Sequence, residues 1–480
     1  MGKLMKRAGL VCVGLVGGVL ISLQFSAMAE KEVQSSLPVG ELRIFAEIFN
    51  AVKRGYVEPV EDKKLITHAI SGMLSNLDPH SAYLDAEAFK DLQTATQGEF
   101  GGLGLEVGVK DGLVEVISPI EDTPADRAGI KAGDLIFKID DKQVKGMTLT
   151  EAVKRMRGEP KTEIQLSIFR KGEPQPIELT LTREIIKVES VKSKRIDEHY
   201  GYLRITSFQE NTAPSVVKHL NDLYAPGSLH GLVLDLRNDP GGLLNSAIGV
   251  SAAFLPYGTL VTSTDGRLPD TRRQYYANPE DYLHGGKEDF IRSIPVEALK
   301  VPIVVLINGG SASASEIVAG ALQDHKRAVI MGTASFGKGS VQTILPLPGD
   351  TAIKLTTARY FTPSGRSIQA KGIDPDIVVE ETPSGASIAR LREADLENHL
   401  DDGGNGGSGA NDANEDKDKD KEAASAKPQT KAPAKPRTAP GKDEDDQGFE
   451  PPGRELASKK DYQLNQAINL LKGLRIIQGR

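Results

Sequence analysis

VPIVVLINGGSASASEIVAGALQDHKRAVIMGTASFGKGSVQ, residues 301–342, decides the fold of this chain. Val301 to Ile307 is a continuous apolar, β-branched run of strand length, the pattern of a strand buried on both faces of a mostly parallel sheet. Such a strand belongs to an α/β core. Asn308, Gly309 and Gly310 break it, Ser311-Ala312-Ser313-Ala314-Ser315 supplies small residues, and Glu316 to Lys326 spaces Ile317, Val318, Ala321 and Leu322 at helical intervals. The serines therefore sit at a strand-to-helix elbow. Small neighbours there admit a substrate, and the first free N–H groups of the helix can hold a developing oxyanion.

A serine nucleophile needs a base. His325 is the nearest histidine, but it lies about three turns down the helix, roughly 15 Å away at 1.5 Å per residue. Lys338 is the better candidate, in Phe336-Gly337-Lys338-Gly339-Ser340 after a second apolar strand, Ala328 to Met331. A lysine acts as a base only when neutral, and moving its pKa from ~10.4 to near 7 takes roughly 4 to 5 kcal/mol of burial away from carboxylates. No Asp or Glu occurs from His325 to Gly349, and Gln342 is placed to fix the amine without raising its pKa. From the residues alone Ser311, Ser313 and Ser315 stay equivalent.

SASASEI followed by FGKGSVQ resembles the catalytic signature of the carboxy-terminal processing proteases, serine endopeptidases with a Ser/Lys pair and an embedded PDZ domain. The resemblance implies Ser313 as nucleophile, Lys338 as base and Gln342 as its companion. It also implies an oxyanion hole made by the N–H of Ala314 and a glycine of the DLRxxPGG motif, here Asp235-Leu236-Arg237-Asn238-Asp239-Pro240-Gly241-Gly242, with Gly241 and Gly242 both open. The fold it implies is multidomain α/β. A PDZ domain stands between an N-terminal helical segment and an α/β, crotonase/ClpP-like protease core, followed by a disordered tail and a terminal helix.

The whole chain is consistent with this. Its 480 residues suffice for two to four domains, and a net charge of −7 gives no basic footprint for nucleic acid. Eight scattered histidines without CxxC or HExxH patterns give no support for a metal, and no cofactor is expected. Lys3, Lys6 and Arg7 precede an apolar run from Ala8 to Phe25 and an Ala27-Met28-Ala29 site, which reads as a signal peptide over 1–29 and an exported, periplasmic or extracytoplasmic protein. An uncleaved membrane anchor is the alternative. The single cysteine, Cys12, lies inside that leader, so the mature chain has no disulfide.

Residues 30–96 read as a helical region, with Leu42, Ile44, Phe45, Ile48, Phe49 and Val52 at helical spacing and a second helix from Leu65 to Leu77. His80, in GMLSNLDPHSAYL, reads as a capping or turn residue after Asp78-Pro79. Residues 97–185 have the element order of a PDZ domain, including a capping box from Thr148 to Glu151. Leu103, Gly104 and Leu105 form its glycine-rich loop, which would hold the C-terminal carboxylate of a protein substrate while the peptide adds to a sheet edge.

The protease core spans 186–395, with Asp235 and Arg237 read as a salt-bridged scaffold and 257–297 as a polar surface insertion. Residues 396–454 cannot bury a core and read as a disordered linker. The terminal helix, 455–480, carries Tyr462, Leu464, Ala467, Ile468, Leu471 and Leu474 on one face. It is a docking helix for a homo-oligomer or adaptor, or it packs on its own chain. These observations point to an exported tail-specific endopeptidase; the alternative is a PDZ peptide-binding scaffold whose protease domain is inactive or partner-gated.

Overall fold

The computed structural model describes residues 37–283, 285, 288–383, 390–402 and 456–477. The expected leader at 1–29 and most of the expected linker lie outside the described residues. Among the described residues no helix is long and apolar enough to cross a membrane. The chain divides into two compact units, Met1–Gly72 and Met73–Arg480. In the first, the amphipathic run folds as the helix Val39–Gly55, on which Leu42, Phe45 and Ile48 are exposed.

The second unit is built on a six-stranded sheet whose spatial order is Val191–Ile196, Tyr200–Ile205, Gly231–Asp235, Ile303–Ile307, Ala328–Gly332 and Ile377–Val378. The first pair is antiparallel and the others are parallel. Ile303–Ile307 is flanked by strands on both sides and buried at every position, as its unbroken apolar run requires. Alternation sends Leu232, Leu234, Ile303 and Val305 to one face. There they pack with Val216 and Leu220 of the helix Thr212–Tyr224, with Ile248 of Leu244–Ala252, and with Ile317 and Val318 of Ala314–Asp324. Val233, Val304, Leu306, Tyr200, Tyr202 and Met331 face the other way.

The terminal helix Tyr462–Ile477 covers that second face with Leu464, Ala467, Ile468 and Leu471. It therefore docks on its own chain. Burying a leucine or isoleucine fully contributes about 1.5 to 3 kcal/mol, so this face supplies a sufficient reason for the helix to return after the low-complexity stretch. Residues 396–402, assigned to the linker by composition, are fastened to the core instead: Leu400 O accepts from Gln369, Asp401 O from Arg359 and Asp402 O from Ser367.

A second sheet runs Ala82–Leu84, Thr351–Phe361, Leu260–Gly266 and Arg273–Tyr276, with Ser340–Leu347 also paired to Thr351–Phe361. The segment read as a polar surface insertion thus contributes two strands, the first of which buries Val261, Thr262 and Thr264.

The PDZ-type region carries its own core, including Val116, Ile136, Leu166 and Ile168. The path Leu105–Lys110, Leu113–Pro119, Leu135–Ile139, Glu163–Phe169 and Ile177–Thr182 leaves Leu105–Lys110 at an edge. The expected capping box is present: Thr148 Oγ1 accepts the N–H of Glu151, whose carboxylate accepts the N–H of Thr148.

Candidate active site

The apolar strand Ile303–Ile307 gives way to Asn308, and five residues after Asn308 Ser313 stands as the N-cap of the helix Ala314–Asp324. Ser313 holds φ 54° and ψ −111°, a strained conformation for a residue with a Cβ. The strain is held by Glu316, whose Oε2 accepts the Ser313 N–H at 2.7 Å. The neighbouring serines are spent on structure. Ser311 Oγ donates to Leu236 O and accepts the Asn308 N–H, and Ser315 Oγ donates to Asp239 O. Of the three equivalent candidates, Ser311 and Ser315 thus have scaffold partners.

Lys338 lies in the turn between Ala328–Gly332 and Ser340–Leu347, partly buried. Its N–H reaches Glu316 Oε2 at 3.0 Å, so Ser313 and Lys338 hang from one oxygen atom. Gly337 N–H and Ser335 Oγ end on the other oxygen, at 2.7 and 2.6 Å. Glu316 is fully buried, and burial pushes its carboxyl up to about 7 against the four hydrogen bonds that favour the anion.

Burial is also the largest influence on Lys338, and with the positive charge of Lys354 it holds the amine below the ordinary lysine value. Glu393, Glu316 and Asp78 pull the other way. The carboxylate-free run from His325 to Gly349 did not therefore translate into a carboxylate-free surround, because these three acids arrive from elsewhere in the sequence. Gln342 donates from Nε2 to Ser340 Oγ at 3.0 Å and to Thr356 Oγ1 at 3.3 Å. Thr356 Oγ1 in turn donates to Asp78 Oδ1 at 3.0 Å.

Gly241, at φ 94°, sits against the elbow, while Gly242, at φ 152°, lies against the backbone of Phe208. A Cβ on Gly241 would stand 2.6 Å from Ala312 O and 2.8 Å from Ala314 N, so only glycine lets this loop lie on the start of the helix. The Gly241 N–H donates to Asp239 Oδ1 at 2.8 Å. Asp239 is fully buried, its Oδ2 has no hydrogen-bond partner among the described residues, and burial pushes its carboxyl up to about 8.

Asp235 and Arg237 are the scaffold expected of them, with an addition the motif did not reveal. The Arg237 guanidinium binds Asp235 and also Asp461 and Gln463 at the start of the terminal helix. The turn reading of His80 holds for its backbone, whose N–H donates to Asp78 Oδ1 at 2.8 Å, but its ring lies 2.8 Å from Glu393 Oε2.

In the PDZ-type loop, Leu103 is buried, and Gly104 takes φ 79° against Thr123, where a Cβ would lie 2.2 Å from Oγ1. The carbonyls of Leu103 and Gly104 accept from Ala125 and Ile120. Leu105 opens the edge strand.

Residues 199–379 match the peptidase family S41 description, 101–181 the PDZ domain and 21–88 the activating protease CtpB N-terminal domain. The chain is thus a serine-type peptidase of multidomain α/β fold with a PDZ domain. A carboxy-terminal-processing protease of Bartonella bacilliformis is 48% identical over 394 residues, 80% of this chain and 87% of that protein. A carboxyl-terminal-processing protease of Synechocystis is 35% identical over 79% of this chain and 89% of its own length. A solved photosystem II D1 C-terminal processing protease is 30% identical, covering 70% of this chain and 92% of that one with a TM-score of 0.39. The chain belongs to the carboxy-terminal processing proteases of peptidase family S41.

Proposed function

We propose that this protein is an exported endopeptidase that takes the C-terminal end of a protein through its PDZ domain and hydrolyses peptide bonds near it by a Ser313/Lys338 acyl-enzyme mechanism. The observation that carries this reading is the shared Glu316 oxygen, which fastens a strained serine at a helix start and a partly buried lysine to one point. Neutral Lys338 takes the Ser313 proton as Oγ attacks the scissile carbonyl. The N–H groups of Ala314 and of Gly242, or of Gly241 once it leaves Asp239 Oδ1, hold the oxyanion. Lys338 passes its proton to the departing amine, then deprotonates the water that releases the acyl group and restores Ser313. Gln342 orients the lysine.

The exposed edge Leu105–Lys110 supports β-augmentation by the peptide, with its carboxylate at Leu103, Gly104 and Leu105. The leader at 1–29 supports export, and the exposed apolar residues of Val39–Gly55 support a second copy or an adaptor binding there.

Cleavage of a peptide with an unstructured C-terminus tests the reading: Ser313→Ala and Lys338→Ala each abolish turnover while the circular dichroism stays that of the wild type. Turnover at the wild-type rate by either variant removes the mechanism. The scaffold alternative is separated by requiring the wild-type chain to cleave at all, with or without PDZ-binding peptide.

A further inference from the structure

Glu393 is a fully buried carboxylate that no step above consumes, and it lies past residue 379, where the family match ends. Its contacts converge on the lysine turn. Its N–H donates to Phe336 O at 3.1 Å, and its Oε1 accepts Gln369 Nε2 at 2.9 Å. Gln369 Oε1 accepts the Gly339 N–H at 3.0 Å. Lys338 is therefore bracketed: one arm of Glu393 holds the chain two residues before it, the other the residue after it. Oε2 lies 2.8 Å from His80 Nε2, on a turn that the strand Ala82–Leu84 anchors to Thr351–Phe361.

We propose that Glu393, buttressed by His80, is a positioning residue for the Lys338 base, fixing the turn that carries it and setting how readily it gives up its proton. This rests on Lys338 being the base. The charged groups facing the amine are Lys354 from Thr351–Phe361, Glu316 from the nucleophile helix, Asp78 from the turn before His80, and Glu393. Glu393 is an anion: burial opposes this, but hydrogen bonds from His80 and Gln369 and the charge of Lys338 outweigh it and leave it below the ordinary value. A buried negative charge favours the ammonium form of the neighbouring lysine, so its removal favours the base.

The pH dependence of kcat/KM on a peptide substrate, measured with the full chain, reads both roles. Glu393→Gln keeps a side chain able to bond Gln369 but removes the charge, and the acid limb moves to lower pH by roughly one unit. Glu393→Ala and His80→Ala lower kcat about tenfold or more with little change in KM, and the double variant falls no further than the worse single one, because the two act as one unit. Lys338→Ala is run beside them. If it is inactive while Glu393→Gln leaves the acid limb unmoved, or if the two alanine effects multiply, the role of Glu393 is wrong and the base stands. If Lys338→Ala remains active, the base is wrong and this role falls with it.

Discussion

The backbone N–H groups of Ser313 and Lys338 end on the same atom, Oε2 of Glu316, at 2.7 and 3.0 Å. Two residues 25 positions apart in the sequence are thereby held as one object. A carboxylate is suited to this because both its oxygens only accept, and four donors converge on it.

Replacing Glu316 with Gln turns one acceptor into a donor and strands two of those four groups. Unsatisfied buried donors cost about 1 to 3 kcal/mol each, so Glu316→Gln is expected to lose on the order of 3 kcal/mol in denaturant unfolding and most of its turnover. A variant with wild-type stability would show that this oxygen does not organise the elbow.

Gly241→Ala would place a methyl 2.6 Å from Ala312 O at a φ of 94°, and the loop must lift from the helix start. The expected outcome is a ~100-fold or greater loss of kcat with KM little changed, the pattern of a contact made only in the transition state. Steady-state kinetics read it directly.

Asp239 makes stability fall as pH rises. Its carboxyl is pushed up to about 8 by burial, against an ordinary value of 3.8, so between those values the folded chain keeps a proton that the unfolded chain has lost. The stability this gives is fully present below 3.8 and is lost through about 8, at about 1.4 kcal/mol per pH unit while the difference lasts. Asp239→Asn keeps an acceptor for Gly241 and removes the titration. Between pH 6 and pH 8 the wild type is expected to lose on the order of 2 kcal/mol more than the variant, which keeps only the loss due to Glu316, whose carboxyl is pushed up to about 7; parallel curves would rule the assignment out.

The terminal helix stabilises the protease sheet. Asp461 makes two hydrogen bonds, 3.0 and 2.6 Å, to the buried Arg237 guanidinium. Asp461→Ala leaves that charge partly unpaired and is expected to cost about 3 kcal/mol, while a chain ending at 455 exposes Tyr202, Val304, Leu306 and Met331 and aggregates. A soluble, fully active truncation would contradict this.

Gly104→Val sets a branched side chain against Thr123 at φ 79° and is expected to abolish binding of a C-terminal peptide to the full chain carrying Ser313→Ala, as followed by fluorescence anisotropy. Unchanged affinity would remove Leu103, Gly104 and Leu105 from the binding loop.

The elements legible in the sequence were those whose signal is local. The run at Ile303–Ile307, the capping box at Thr148 and the glycine-bounded turn around Lys338 each declare themselves within a few residues. The acids around the lysine did not, because Asp78, Glu316 and Glu393 are brought there by a strand pairing, a helix start and a return of the chain after the core. Glu316 carried a signal in its place three residues after Ser313, the N3 position of a capping box. Glu393 carried none that the local pattern could expose. The strands Leu260–Gly266 and Arg273–Tyr276 were hidden by polar composition, since one face of an antiparallel sheet can stay wet. The terminal helix showed its apolar face, but only the complementary face of the sheet reveals what covers it.

Labelling of Ser313 by a fluorophosphonate, followed as a rate against pH in the wild type and in Lys338→Ala, tests the Ser/Lys engine most directly. The expected rate rises through an apparent pKa below the ordinary lysine value of 10.5 and is lost in Lys338→Ala. Labelling of Lys338→Ala at the wild-type rate, with the wild-type pH profile, would contradict it.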